Sequence, residues 1–342
     1  MKHQVRNWLL GAVAAMAAGS LPLPARAAAP VIALSNAYYG NTWRHQMVEA
    51  FQAAAMQAKK KGLISNYIIL NGDGSVNQQM SQMSDLILKH VNAILIDAAS
   101  ETALNGIIAQ ACQAGIKVLA FDSIVSAPCA YKLNFDFKGY QAAMTRWIVN
   151  KIGGKGNVIV VRGVKGSAPD HDMYAAQMGV LKKHPGVKVV ATVYGQATGS
   201  VAQAAVSNVL PSLPHVDAVL GQGGGDDYGI AQAFQQYGGA YAKKPPVISG
   251  GGSANFIHWW AREAKRNGYQ TISMNTTPGI SGAAFWLMLN ILKGAKVPNY
   301  EVMPVATVTA RNLSRYANIK PGTIVSPTYT DQWVKAHLLQ GK

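Results

Sequence analysis

The chain has 342 residues, with 31 Lys and Arg against 15 Asp and Glu, a formal charge of +16, and two cysteines. That length exceeds what one hydrophobic core usually holds, so two lobes are expected. The charge would suit nucleic acid or an anionic membrane, but the lysines are scattered in pairs (Lys182–Lys183, Lys243–Lys244) apart from one triplet, Lys59–Lys61, and read as solvated surface.

From the start of the chain, Lys2, His3 and Arg6 precede an apolar run from Trp8 to Ala18, then Pro22, Pro24 and "ARA" at 25–27. A basic start, a short apolar core and small residues before a cut site are the features of a secretory signal peptide over 1–27. The run is too short to span a bilayer. Cleavage near Ala27 and a periplasmic, exported protein are expected, an uncleaved anchor being the alternative. Without Lys2, Arg6 and Arg26 the charge is 28 − 15 = +13.

Next comes "LSNAYYGNTWRHQM" (34–47), a strand-to-helix turn that carries two tyrosines, a tryptophan and an arginine. Beyond it, apolar β-rich runs alternate with helical patterns. Strands are expected at 31–35, 67–71, 93–97, 117–121, 158–162, 188–194, 218–220, 247–249 and 271–274. Helices are expected near 42–61, 76–90, 103–115, 139–152, 172–184, 200–211, 227–238, 255–267 and 279–293. Lys59–Lys61 ends the first helix before Gly62, where cations suit the helix dipole. In the second, Val76, Met80, Met83 and Ile87 form one stripe and are expected in the core. Continuous apolar strands separated by helices mean parallel sheets covered on both faces. Four strands precede "KLNFDFKGY" (132–140) and five follow, so the fold class is α/β, two doubly wound lobes.

Polar residues gather where the strands end: Asn36 to Arg44, Asn71 and Asp73, Asp97, Asp122, Asp170 to Asp172, Gln222 to Asp227, and Asn275 to Thr277. Ligands of such sheets sit beyond the carboxyl ends of the strands, and this edge reads as one cleft. Cys112 and Cys129 bracket a strand. In an oxidising compartment they suggest a disulfide worth about 3 kcal/mol for a loop of this size, with two separate buried thiols as the alternative.

Other chemistries find no constellation. "GQGGGD" (221–226) lacks the third glycine of a dinucleotide loop and comes late in the chain. "DHD" (170–172) is one histidine between carboxylates, no serine sits in a nucleophile elbow, and neither cysteine has a neighbouring metal ligand. No enzyme, cofactor or metal is therefore expected. Nucleic acid is not expected either: no recognition-helix pair precedes the first strand, and only Trp43–Arg44 interleaves an aromatic with a base.

The order and spacing of "IALSNAYYGNTWRHQMVEAFQAAA" (32–55), "ILKHVNAILIDAASETALNGIIAQACQAGIKVLAFDS" (87–123), "GVLKKHPGVKVV" (179–190), "LPSLPHVDAVLGQGGGDDYGIAQAF" (210–234) and "NTTPGISGAAFWL" (275–287) resemble the type I periplasmic binding proteins, in the ribose-type sugar-binding branch that serves ABC importers. The resemblance implies two lobes joined by a three-crossing hinge, near Phe135–Phe137, Thr276–Thr277 and Ala306–Ala310. The first lobe would comprise 30–135 plus 277–308 and the second 136–276 plus 309–342. It places family contact positions at Asn41, Trp43 and Asp122. The family's ribose binders carry Arg where Ser123 stands, and other contact positions become Met173, Gly199, Gly225–Asp226, Gly251 and Thr276. The polar inventory therefore departs from ribose recognition.

The residues support a polyhydroxyl ligand independently. Trp43, with Tyr38 or Tyr39, can cover a C–H face, while Arg44 and carboxylates bond hydroxyls. The candidate contacts are Tyr39, Asn41, Trp43, Arg44, Asp97, Asp122, Asp170, Asp172, Asp226 and Asn275. Trp43 has a second reading, as part of a hinge-side core. The expected function is capture of a sugar or polyol by a monomeric receptor for a membrane ABC permease. The alternative is a periplasmic sensor that presents the ligand to a receptor or kinase.

Overall fold

In a computed structural model of the chain, the described residues are Met1 and 28–339. The expected leader from residue 2 to 27 and its expected cleavage near Ala27 fall outside them. β1 (Val31–Asn36), α1 (Thr42–Lys60), β2 (Asn66–Asn71), α2 (Val76–Leu88), β3 (Ala93–Asp97), α3 (Asn105–Gln113), β4 (Lys117–Phe121) and β5 (Tyr131–Phe135) open the first lobe. The second follows with α4 (Phe137–Lys151), β6 (Gly156–Arg162), α5 (Ala168–Leu181), β7 (Val187–Tyr194), α6 (Gly199–Val209), β8 (Ala218–Gly221), α7 (Asp226–Tyr237), α8 (Ala240–Lys243), β9 (Val247–Ile248) and α9 (Ala254–Asn267). The chain ends with β10 (Ser273–Asn275), α10 (Ile280–Leu292), β11 (Tyr300–Met303), β12 (Ala306–Val308) and α11 (Asp331–His337).

The first sheet has the order β11-β5-β4-β3-β1-β2 and the second β7-β6-β8-β9. Both are parallel throughout. β10 and β12 form an antiparallel pair between them. The polypeptide changes lobe after β5, between β10 and α10, and between β11 and β12, which makes the three-crossing hinge. Local sequence sets the elements. Asn41 caps α1 by accepting from the Arg44 N–H at 2.8 Å, and Lys59 and Lys60 close its last turn. α10 is apolar on every face and is buried almost throughout, packed on α1 and on β3 and β4.

Several expectations are corrected. β5 and β11 lay hidden in the sequence because Lys132 and Asn134, or Glu301, interrupt their apolar residues, and only pairing with each other and with β4 makes them strands. In α2, Met83 is buried but Met80 is 40 % exposed. The buried stripe runs instead through Gln79, Gln82, Met83 and Leu86. Its glutamines bond β1 and the end of β3: Gln79 Nε2 donates to the Asp97 carbonyl at 3.0 Å, and Ser35 Oγ donates to Gln82 Oε1 at 2.9 Å. The tail also divides. Leu313, Tyr316 and Ile319 pack on the second-lobe core. Tyr329, Val334 and Leu338 pack on the first, where α10 presents apolar surface and Asn290 Nδ2 donates to Asp331 Oδ1 at 2.8 Å. Cys112 and Cys129 form a disulfide, with Cα atoms 6.5 Å apart.

Candidate functional site

The register of the first sheet sets Asn36 beside both Asn71 and Asp97 at the carboxyl ends of three strands. Asn36 Nδ2 donates to Asn71 Oδ1 at 2.9 Å, and its Oδ1 accepts from the Arg44 guanidinium at 3.1 Å. Arg44, in the first turn of α1, forms a buried ion pair with Asp97. Asp122 follows β4 in a left-handed conformation, φ 57°, which Asp tolerates better than most residues. Its Oδ1 is buried without a hydrogen-bond partner among the described residues. Burial first, and then the neighbouring Asp97 charge, push the Asp122 carboxyl up to about 8 against the pull of Arg44. Burial also raises Asp97, but only to about 6, since the charge and hydrogen bond of Arg44 oppose the desolvation there.

The second lobe supplies the facing wall. Arg162, last in β6, grips Asp170 with both forks, Nε to Oδ1 at 3.0 Å and Nη2 to Oδ2 at 2.7 Å. Its guanidinium lies 4.1 Å from the Tyr174 ring centre and 4.9 Å from that of Tyr194. Gln222 Oε1 accepts from the Gly163 N–H at 2.7 Å and its Nε2 donates to the Asp170 carbonyl at 3.3 Å. Gly223, Gly224 and Gly225 all have positive φ, so the chain turns tightly into α7. Asp226 Oδ2 accepts the backbone N–H groups of Gln222 and Gly223, both at 3.2 Å. Asp227 accepts those of Tyr228, Gly251 and Ser253. Burial raises both carboxyls, while these N–H donors pull the other way.

Between the walls lies a small cavity. Asn41, Trp43, Arg44 and Asp122 line it from the first lobe, and Phe137, Tyr140, Asp170, Met173, Gln222, Gly223 and Gly224 from the second, with Thr276 at the hinge. The cavity thus brings together five of the residues singled out from sequence: Asn41, Trp43, Arg44, Asp122 and Asp170. Trp43 takes part in both of its readings. It is buried in the large core cluster and lines the cavity, and its Nε1 donates to the Thr276 carbonyl at 3.0 Å across the hinge.

The other five residues lie elsewhere. Asp97 stands behind Arg44, and Asp226 is fully buried under the glycine turn. Asn275 holds the hinge, donating to the carbonyls of Thr276 at 2.8 Å and Val325 at 2.9 Å. Tyr39 is 40 % exposed, its ring 4.2 Å from that of His45. Asp172 faces outward to Lys138 at 3.1 Å. Sequence reasoning left out Phe137 and Tyr140, because aromatics in the opening turns of an amphipathic helix look like core. It also left out Arg162, whose role appears only once Asp170 is folded against it. Gln222 was visible in the run of polar residues after β8.

Known proteins resemble this chain. A family model described as a periplasmic binding protein domain matches residues 32–296. An ABC transporter solute binding protein from Thermobispora bispora is 39 % identical, with 90 % of this chain and 94 % of that one aligned at a TM-score of 0.84. The xylitol-binding protein of Mycolicibacterium smegmatis is 26 % identical over 49 % of each chain. The multiple sugar-binding periplasmic receptor ChvE of Rhizobium radiobacter is 28 % identical over 52 % of this chain and 56 % of its own. The chain spans about half the length of these two relatives.

Proposed function

The chain belongs to the periplasmic binding protein family, type I, and from that premise we propose that it captures an uncharged sugar or polyol between its lobes and delivers it to a membrane ABC permease. It acts as an exported, monomeric periplasmic receptor and carries out no reaction on its ligand. Asn41, Trp43, Arg44, Asp122 and Asp170 are its contacts in this proposal. Relatives whose names speak of xylitol and of multiple sugars support the ligand class.

One observation carries the reading: Asp122 lines an interlobe cavity and its buried Oδ1 has no hydrogen-bond partner among the described residues, beside the apolar surfaces of Trp43, Phe137 and Met173. A polyhydroxyl ligand offers both a hydroxyl for the carboxyl and C–H faces for the rings. Both arginines near the cavity already hold carboxylates, so among the described residues no free cation lines it for an acidic ligand.

The test is a thermal-shift panel of pentoses, hexoses, polyols, nucleosides and amino acids. A ligand at a hundred times its Kd stabilises the fold by about 2.7 kcal/mol. At least one sugar or polyol should do so. A shift confined to nucleosides or amino acids would overturn the proposal.

A further inference from the structure

The cleft occupies the edge where the strands of the second lobe end. The opposite edge has a different chemistry. Since β6, β7, β8 and β9 are parallel, their first residues share one pole with the ends of the helices that lead into them. Six exposed lysines stand there: Lys151 at the end of α4, Lys155 just before β6, Lys182 and Lys183 just after α5, and Lys243 and Lys244 where α8 ends. Lys151, Lys243 and Lys244 line one hollow together with His215, and Lys183 lines a second with Arg146.

None of the six is within ion-pair distance of a carboxylate among the described residues. The acids at this pole are occupied. Asp217 accepts from the Asn157 N–H at 2.8 Å, and Glu263 is gripped by Arg266. The asymmetry extends to the whole lobe. Residues 136–276 carry 14 Lys and Arg against 7 Asp and Glu, a net 14 − 7 = +7, whereas residues 28–135 carry 7 against 6, a net 7 − 6 = +1. Complementing helix dipoles explains a cation in a last helical turn. It does not explain Lys155, outside any helix, or Lys183 and Lys244, beyond the last helical residue. At the same end, Tyr237, the last residue of α7, is 50 % exposed.

We infer that this pole of the second lobe is a docking surface for an anionic lipid bilayer. The cations are lysines spread around a pole, not arginine forks lining one groove, and compact point charges suit the diffuse charge of headgroups. An exposed tyrosine among them fits the headgroup region, where Tyr is enriched. The cleft is at the far edge of the same sheet, so docking leaves it open. Each lysine near an anionic surface is worth roughly fivefold in partitioning.

The experiment is co-sedimentation of the protein recovered by osmotic shock with vesicles of phosphatidylcholine, alone or with about 30 % phosphatidylglycerol. The protein should bind only the anionic vesicles and be released by about 0.5 M salt. The fourfold change Lys182→Gln, Lys183→Gln, Lys243→Gln, Lys244→Gln should lower partitioning at least ~100-fold at an unchanged melting temperature. The triple change Lys59→Gln, Lys60→Gln, Lys61→Gln, at the end of α1 in the first lobe, should lower it less than ~3-fold. No preference for anionic vesicles at low salt, as an acidic protein partner would give, overturns the inference. So does an equal loss in the first-lobe variant.

Discussion

The two walls of the cleft contain the same kinds of side chain in opposite states. In the second lobe the carboxylate that lines the cavity, Asp170, is held by both forks of Arg162. Behind it Asp227 and one oxygen of Asp226 are held by backbone N–H groups, Asp226 Oδ1 being buried away from the cavity without a partner among the described residues. On the first-lobe wall only Asp97 is held, by Arg44, while Asp122 keeps a buried oxygen without a partner on a left-handed backbone. Where the lining carboxylate is already paired, the wall offers mainly shape, here a glycine turn and the Met173 side chain. An unsatisfied carboxyl is different, since leaving a polar group buried and unpaired costs about 1–3 kcal/mol that a matching hydroxyl removes. Selectivity by hydrogen bonding should therefore reside on the first-lobe wall.

The largest effect tests whether that wall can be separated from the core behind it. Trp43 is 5 % exposed and belongs to the core cluster, yet lines the cavity. Trp43→Ala should lower the stability of the ligand-free protein by about 3–5 kcal/mol, as large-to-small core changes do, and weaken ligand binding as well. Denaturant unfolding and calorimetry on the same preparation measure both. Lost affinity with unchanged stability would make Trp43 a pocket residue alone, and the first wall would be as detachable as a loop.

A smaller effect compares the walls directly. Asp122→Asn keeps the shape and suits the left-handed backbone, but replaces one acceptor oxygen with a donor. It should weaken ligand binding by about 0.5–1.5 kcal/mol, the range for a hydrogen bond between uncharged groups, without loss of stability in the free protein. Asp170→Asn should show the reverse balance, because it leaves Arg162 with half of its ion pair. If Asp170→Asn affected affinity more and stability less than Asp122→Asn, the assignment of the two walls would be inverted.

How far the sequence revealed all this follows the same physical lines. Elements with continuous apolar runs and clear caps, such as β3 or α1, were legible. β5 and β11 were not, because their polar alternation gains meaning only beside a partner strand. The edge carrying the site was legible too, since every strand of a parallel sheet ends on one side. Which residues on that edge face inward was not. Asp170 and Asp172 lie two positions apart on α5, about 200° around the helix. One turns to Arg162 at the cavity and the other to Lys138 outside. Asp122 stood out because it follows directly on an apolar strand, whereas Tyr140 and Phe137 carry the same apolar signature as core.

The last effect is a pH dependence, and its sign follows from Asp122. The carboxyl rises from 3.8 to about 8 in the fold. Between those values the folded protein holds a proton that the unfolded chain has released, so stability falls as pH rises through the window and levels off above it. Asp97, raised to about 6, adds to the fall at the acidic end. Asp226 and Asp227, raised on the other wall, add a background common to wild type and variant. Asp122→Asn has no such proton. Its stability curve should therefore be shallower than that of the wild type from pH 5 to 7, by up to one proton or about 1.4 kcal/mol per pH unit. Urea midpoints of both proteins across that range provide the measurement. Parallel curves would show that Asp122 is ionised in the free protein throughout, and that the first-lobe wall is no less satisfied than the second.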